Sequence, residues 1–241
     1  MRSATTASGT TPRPSPSPVR LFLAARPARS TLAAAVIIGA LTAWLGTSLA
    51  PVPTAVDAGQ ATVPVWRLLA LGAAVLPVLA LHSQLADLEV VATRRLRRLQ
   101  RGYLAGMGST CALIYLGLSA TTLPVTALAV AARAWIAWFG LALLSGAVLG
   151  WRLAWVLPAI AAVIVIYWGY MGDGYAWWEF SARPHDDLLS LILSVGLLAV
   201  GVAAYSATPW RRRRWSPSRS QRRGLLPPGR GRSLTGFDRV R

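Results

Sequence analysis

Long apolar runs alternate with short polar breaks along this chain, and the runs are the length of membrane crossings. A crossing helix needs about 20 mostly apolar residues. TLAAAVIIGALTAWLGTSLA at 31–50 and WRLLALGAAVLPVLALH at 66–82 meet that need, the second a little short. Residues 102–151 hold no acidic residue and are too many for one crossing. A break at Thr121-Thr122-Leu123-Pro124 divides them into spans near 102–121 and 131–150, because proline disfavours helix at the residue before it. Gly150-Trp151-Arg152 turns the chain into 153–169, and 187–207 is the last apolar run. The pattern therefore predicts an all-α, polytopic bundle of six transmembrane helices.

Residues 84–101, QLADLEVVATRRLRRLQR, break this pattern and have one of their own. Arg94, Arg97, Arg98 and Arg101 recur at i, i+3, i+4, i+7, while Leu85, Leu88, Ala92, Leu96 and Leu99 fall on the opposite side. Two such faces predict an amphipathic helix lying on the membrane surface between spans two and three. Its arginines suit either a soluble partner or anionic lipid.

Composition agrees with a membrane class. Hydrophobic residues make up 54% of the chain and charged residues 14%, with mean hydropathy +0.48, whereas a soluble domain carries roughly 25% charged residues. All 25 basic residues are arginine. In the six-span arrangement, twenty-two of them fall on the side that holds both termini, and Arg67, Arg133 and Arg183 on the other. Short cytoplasmic loops carry the excess of positive charge, so both ends are expected in the cytoplasm and the protein in the cytoplasmic membrane. The first span is expected to remain uncleaved, its apolar run being longer than that of a signal peptide.

The Ser-, Thr- and Pro-rich residues 1–30 and the Arg-rich tail 208–241 lack apolar periodicity and are expected to be disordered, flanking a membrane domain at 31–207. The net charge of +17 does not imply nucleic acid, since the RRRRW and QRR clusters directly follow a span, where they meet anionic lipid head groups.

Little in the sequence suggests catalysis. HExxH, GxSxG and Walker A patterns are absent, so no cofactor or enzymatic role is expected, and any use of ATP must come through another chain. Arg67 and Arg133 stand beside Trp66 and Trp135 near span ends, which predicts interfacial anchors that snorkel. The outer segment MGDGYAWWEFSARPHDD, 171–187, reads as an aromatic interfacial belt, with Asp186 and Asp187 opening the last span at a helix N-terminus. His185, Asp186 and Asp187 are too close in sequence to converge on one metal, and no metal site is expected. Lone Cys111 is a small core hydrophobe. Gly102-x-x-x-Gly106 and Gly146-x-x-x-Gly150 permit close helix approach, within the bundle or across a dimer.

The layout, together with LEVVATRRLRRLQ (88–100), RAWIAWFGLALLSGAVLGWRLAWVLP (133–158) and WWEFSARPHDDLLSLILSVGLLAVG (177–201), resembles the permease subunits of ABC-2-type exporters, in particular small permease-like membrane proteins of actinomycetes. The resemblance spans roughly residues 30–210. It implies a separate ATP-binding subunit as partner, a homodimer or second permease chain, and a coupling helix at 85–101 that docks the ATPase through Arg94, Arg97, Arg98 and Arg101. The alternative is a non-transporting scaffold or accessory protein of a membrane complex.

Overall fold

A computed structural model describes residues 26–53, 60–81, 94–171 and 174–215, and the side chains of 53, 60, 61, 94–97, 171 and 208–215 fall outside that description. Six α-helices run in chain order among the described residues: α1 (Ala28–Leu45), α2 (Val65–Leu79), α3 (Arg94–Ser119), α4 (Val125–Leu149), α5 (Val156–Trp168) and α6 (Leu188–Trp215). Residues 1–25 and 216–241, most of the two expected disordered ends, lie outside the description, as does Leu85–Ala92 of the expected surface helix.

The breaks fall where local chemistry puts them. Pro124 sits extended just before α4, at φ −64° and ψ 156°, as a residue without an N–H to offer can do at a helix start. Gly150 adopts φ 104°, reversing the chain after α4 into a 3-10 turn, Trp151–Leu153; a side chain there would be strained. Ser145 accepts from the Leu157 N–H at 3.3 Å and donates to the Leu153 carbonyl at 2.7 Å, clamping that turn.

Among the described residues four helical segments are long and apolar enough to cross a membrane: Ala28–Leu45, Val125–Leu149, Trp151–Trp168 and Leu188–Ala207. α2 is a shorter apolar helix of 15 residues, and α3 is 26 residues long with an arginine-rich start. The basic stripe is thus the opening of the third helix itself; Arg94–Arg101 runs without interruption into the apolar residues that follow.

α4 lies at the centre. Of its apolar window 61% is buried, against 22%, 22% and 17% for α1, α5 and α6. Ala131, Ala134 and Trp138 of α4 share one core with Trp66, Ala70 and Ala74 of α2. α6 crosses α4 backbone against backbone: a Cβ on Gly140 would lie 2.5 Å from the Leu197 carbonyl oxygen, and one on Gly201 would strike Gly140. The outward apolar side chains of α1, α5 and α6, among them Ile37, Val163 and Ile192, are exposed. Water would not tolerate so much apolar surface, and bilayer hydrocarbon does. The chain is a mostly helical, multi-pass membrane protein.

Among the described residues two small sheets add to the expected all-α bundle. β1 (Leu49–Pro53) pairs antiparallel with β2 (Gln60–Pro64), Leu49 opposite Pro64 and Pro53 opposite Gln60. β3 (Tyr170–Met171) pairs with β4 (Gly174–Tyr175). Prolines at 51, 53 and 64 survive in the first because a two-stranded ribbon has only edges.

Candidate functional site: a buried charge cluster under residues 170–187

The segment between α5 and α6 folds inward, and two buried arginines hold it. Arg67, in the first turn of α2, is 8% exposed, and Glu179 of the segment 1%. Arg67 Nη2 donates to Glu179 Oε1 at 2.7 Å and to Ser181 Oγ at 2.8 Å, while its Nε reaches the same Oγ at 3.3 Å. The Ser181 hydroxyl and backbone N–H both donate to Glu179 Oε1, at 2.6 and 3.1 Å. Every donor to this carboxyl among the described residues meets that one oxygen. The other, Oε2, accepts no hydrogen bond among the described residues and lies against Gly169, where an added Cβ would come within 2.5 Å of it.

Arg133 of α4 is spent on backbone. Its Nε donates to the Phe180 carbonyl at 3.0 Å, Nη1 to that of Pro184 at 2.8 Å and Nη2 to that of Arg183 at 2.6 Å. A planar guanidinium presents its donors as a fixed fork, so it can bind three carbonyls of one curved segment at once. Phe180 then plugs edge-on against Trp138, ring centroids 4.8 Å apart. Beyond Arg133 the segment enters α6 through Asp187, whose carboxylate accepts from the Ser190 N–H at 3.2 Å and from the Ser190 hydroxyl and pairs with Arg183 at 3.0 Å. Asp187 thus stands at the opening of α6, as expected, and its carboxylate caps the first turn.

Electrostatics separates the two acids. Burial pushes the Glu179 carboxyl above its ordinary value, outweighing the Arg67 charge and the Ser181 hydrogen bonds that pull it down. Asp187 is held below its ordinary value, chiefly by the Ser190 hydroxyl.

Arg67 and Arg133 therefore do not snorkel as expected from their tryptophan neighbours; they point into protein and bind residues 179–184. The aromatic belt also divides: Trp177 and Tyr175 are exposed, while Phe180 is buried. His185 and Asp186 are exposed, and no His, Cys, Asp and Glu group that could hold a metal occurs among the described residues. Chemically the cluster is a fastening. The Ser181 proton is committed to Glu179, its oxygen to Arg67, and Ser181 is 3% exposed, which leaves no open nucleophile.

Of the arginines expected to dock a partner, Arg98 and Arg101 are exposed on the opening turns of α3; the side chains of Arg94 and Arg97 lie outside the described residues. Arg26 stacks on Tyr103 next to this end, 5.1 Å from the ring centroid. At the far end of the buried face, the Tyr115 hydroxyl donates to the Trp66 carbonyl at 3.2 Å, one residue from Arg67. No family model, characterised protein or solved structure matches this chain.

Proposed function

We propose that this chain is the membrane subunit of an ABC-2-type exporter, with six helices crossing the cytoplasmic membrane, both termini inside, and a separate ATP-binding subunit docked on the arginine stripe. One observation carries the reading: Arg98 and Arg101 are exposed on the same unbroken helix, α3, whose other end is bonded to α2 beside Arg67. A soluble motor needs a charged handle stiffly joined to the membrane body, and a continuous helix supplies one. A homodimer or a second permease chain completes the assembly, and the basic tail engages anionic lipid.

The test is co-purification with an ATP-binding subunit, sought among the products of the neighbouring reading frames. Arg98→Gln with Arg101→Gln removes charge while keeping helix propensity. Recovery of the ATPase should fall at low salt, with membrane insertion and a cytoplasmic C-terminal reporter unchanged. Equal recovery from parent and variant at low and high salt would remove the coupling role. That result would favour the second reading, a non-transporting scaffold, which the firmly pinned outer segment supports.

A further inference from the structure

The helices that face lipid differ in how far apart their polar and aromatic ends stand. α5 turns Ile160, Val163 and Ile164 outward. That apolar stretch is closed at one end by exposed Arg152 and Trp155 and at the other by exposed Tyr167 and Trp168. α1 repeats the arrangement: exposed Arg29 opens it, Val36 and Ile37 face outward, and Trp44, 78% exposed, closes it. On α6 the exposed side chains from Leu188 to Val202 are Leu, Ile, Val and Ala, with Gly196 among them. The ring that follows, Tyr205, is turned inward against Trp151, centroids 5.5 Å apart.

Anchors of this kind hold fixed levels in a bilayer. A guanidinium stays out of hydrocarbon and an indole settles at the headgroup boundary, so a pair of them on one helix sets the thickness of hydrocarbon that the helix accepts. With a helical rise of about 1.5 Å per residue, Trp155 and Trp168 stand about 20 Å apart and Arg29 and Trp44 about 22 Å, whereas the run from Leu188 to Ala207 extends about 29 Å. Bilayer hydrocarbon is about 30 Å thick. α6 matches it, and α1 and α5 fall short by about 8–10 Å. Tilt only enlarges the shortfall. The stem of Arg29 can recover part of it by snorkelling, but the rigid indole of Trp155 cannot.

The two short belts lie level with each other. At the arginine end, Arg26 beside α1 stacks on Tyr103, and Tyr103 and Trp151 pack against one cluster that holds Leu104 and Ala154. At the tryptophan end, β1, which continues from α1, comes against α5. A helix anchored at one end can sink until its apolar part is covered. α1 and α5 are anchored at both ends, which leaves the bilayer to yield.

We propose that the flank formed by α1 and α5 thins the bilayer it touches, and that the lipid it fits has short or disordered acyl chains, while the α6 face accepts ordinary hydrocarbon thickness. A polar or amphipathic molecule crossing the membrane meets its smallest barrier where the hydrocarbon is thinnest. The inference needs the chain to span a membrane and is independent of any ATP-binding partner.

The experiment measures local depth. Full-length protein with Cys111→Ala is placed in dioleoyl phosphatidylcholine vesicles with one nitroxide at Ile160→Cys, Val163→Cys or Gly196→Cys, and depth is read from relaxation by oxygen against relaxation by a water-soluble nickel chelate. All three positions are exposed, and nothing lies within 4 Å of a Cβ at Gly196. From their spacing to Trp155 and Trp168, the labels at 160 and 163 should both lie about 8 Å below the nearer headgroup level, and the label at 196 about 12 Å below, from its spacing to Leu188. Two labels on α5 separate thinning from sinking, since a helix that sinks carries one label shallower and the other deeper. In dimyristoleoyl vesicles, whose hydrocarbon is thinner, the difference between α5 and α6 should close. Arg152→Leu with Trp155→Leu lengthens the belt and should carry the 160 label down toward the depth of 196 in dioleoyl vesicles. Labels at 160 and 163 as deep as 196 in dioleoyl vesicles, or one of them deeper, would overturn the proposal whether or not the double variant folds. An unchanged depth at 160 in a folded double variant would overturn it as well, because the anchors would then not set the boundary.

Discussion

Arg133→Met isolates the fork on backbone, because methionine keeps much of the stem and deletes the guanidinium. Three bonds are lost, at 3.0, 2.8 and 2.6 Å, from a side chain only 4% exposed. A hydrogen bond to a charged group contributes about 1.5–3 kcal/mol net. The Phe180 carbonyl belongs to a buried residue and is left dry. Those of Arg183 and Pro184 belong to more exposed residues and rehydrate, so their loss counts for less. Removing a buried charge also returns its desolvation cost. The balance is a destabilisation of about 3 kcal/mol, or roughly 6–12 °C in Tm for a chain of this size. The assay is thermal unfolding in detergent at a fixed scan rate, followed by intrinsic fluorescence or size-exclusion recovery. Arg133→Lys should fall between parent and Met, since a point ammonium cannot span three carbonyls. A Tm within about 2 °C of the parent for Arg133→Met, or identical losses for Met and Lys, would refute the fork-on-backbone reasoning.

Gly201→Leu should be among the most damaging changes, costing about 3 kcal/mol or more because the α4–α6 crossing has backbone where the side chain must go, whereas Gly102→Leu, with nothing within 4 Å, should stay within about 0.5 kcal/mol; parallel thermal scans separate them. Asp187→Ala should cost about 1 kcal/mol through the lost cap of α6. Because the Asp187 carboxyl is held below its ordinary value, its contribution is present above that value and disappears as pH falls through the depressed one, so Tm plotted against pH for parent and Asp187→Asn should converge in acid.

The helices could be read from the sequence because each is set locally, by apolar length and by the breakers Pro124 and Gly150. The structure gives one helix to each of the six apolar segments, with shifted ends: α4 begins at Val125, since an extended Pro124 opens a helix immediately, where the span was expected near 131. The β1–β2 ribbon could not be read. Its strands, LAPVP and QATVP, show no clean alternation and carry three prolines, so its pairing is a tertiary fact. Neither could the roles of Arg67 and Arg133. An arginine beside a tryptophan at the end of an apolar run looks the same whether it snorkels or turns inward, and Glu179 is 112 residues from Arg67. A usable signal did exist: in the expected six-span arrangement Arg67, Arg133 and Arg183 share one side with the acids of the 171–187 segment, and charges of both signs confined to one short-looped face tend to pair. The basic stripe was legible as a pattern, yet nothing between Arg101 and Gly106 stops a helix, so its described part became the opening of α3 rather than a separate surface element.

The two sets of arginines now differ by what solvates them. Arg98 and Arg101 are left to water, which keeps their charge available to another molecule; Arg67 and Arg133 are solvated by the protein's own oxygens, which removes theirs from any external ligand. Helical rise puts Arg98 and Tyr115 about 25 Å apart on one rod. Tyr115 is fully buried, and its hydroxyl meets the Trp66 carbonyl at the start of α2, one residue before the arginine that holds Glu179. Packed interiors do not absorb displacement smoothly. The exposed basic end of α3 and the buried acid of the 170–187 segment are therefore joined by one helix, one hydrogen bond and one ion pair, with no loop intervening, and Tyr115→Phe is the smallest change that cuts this chain of contacts while leaving the core filled.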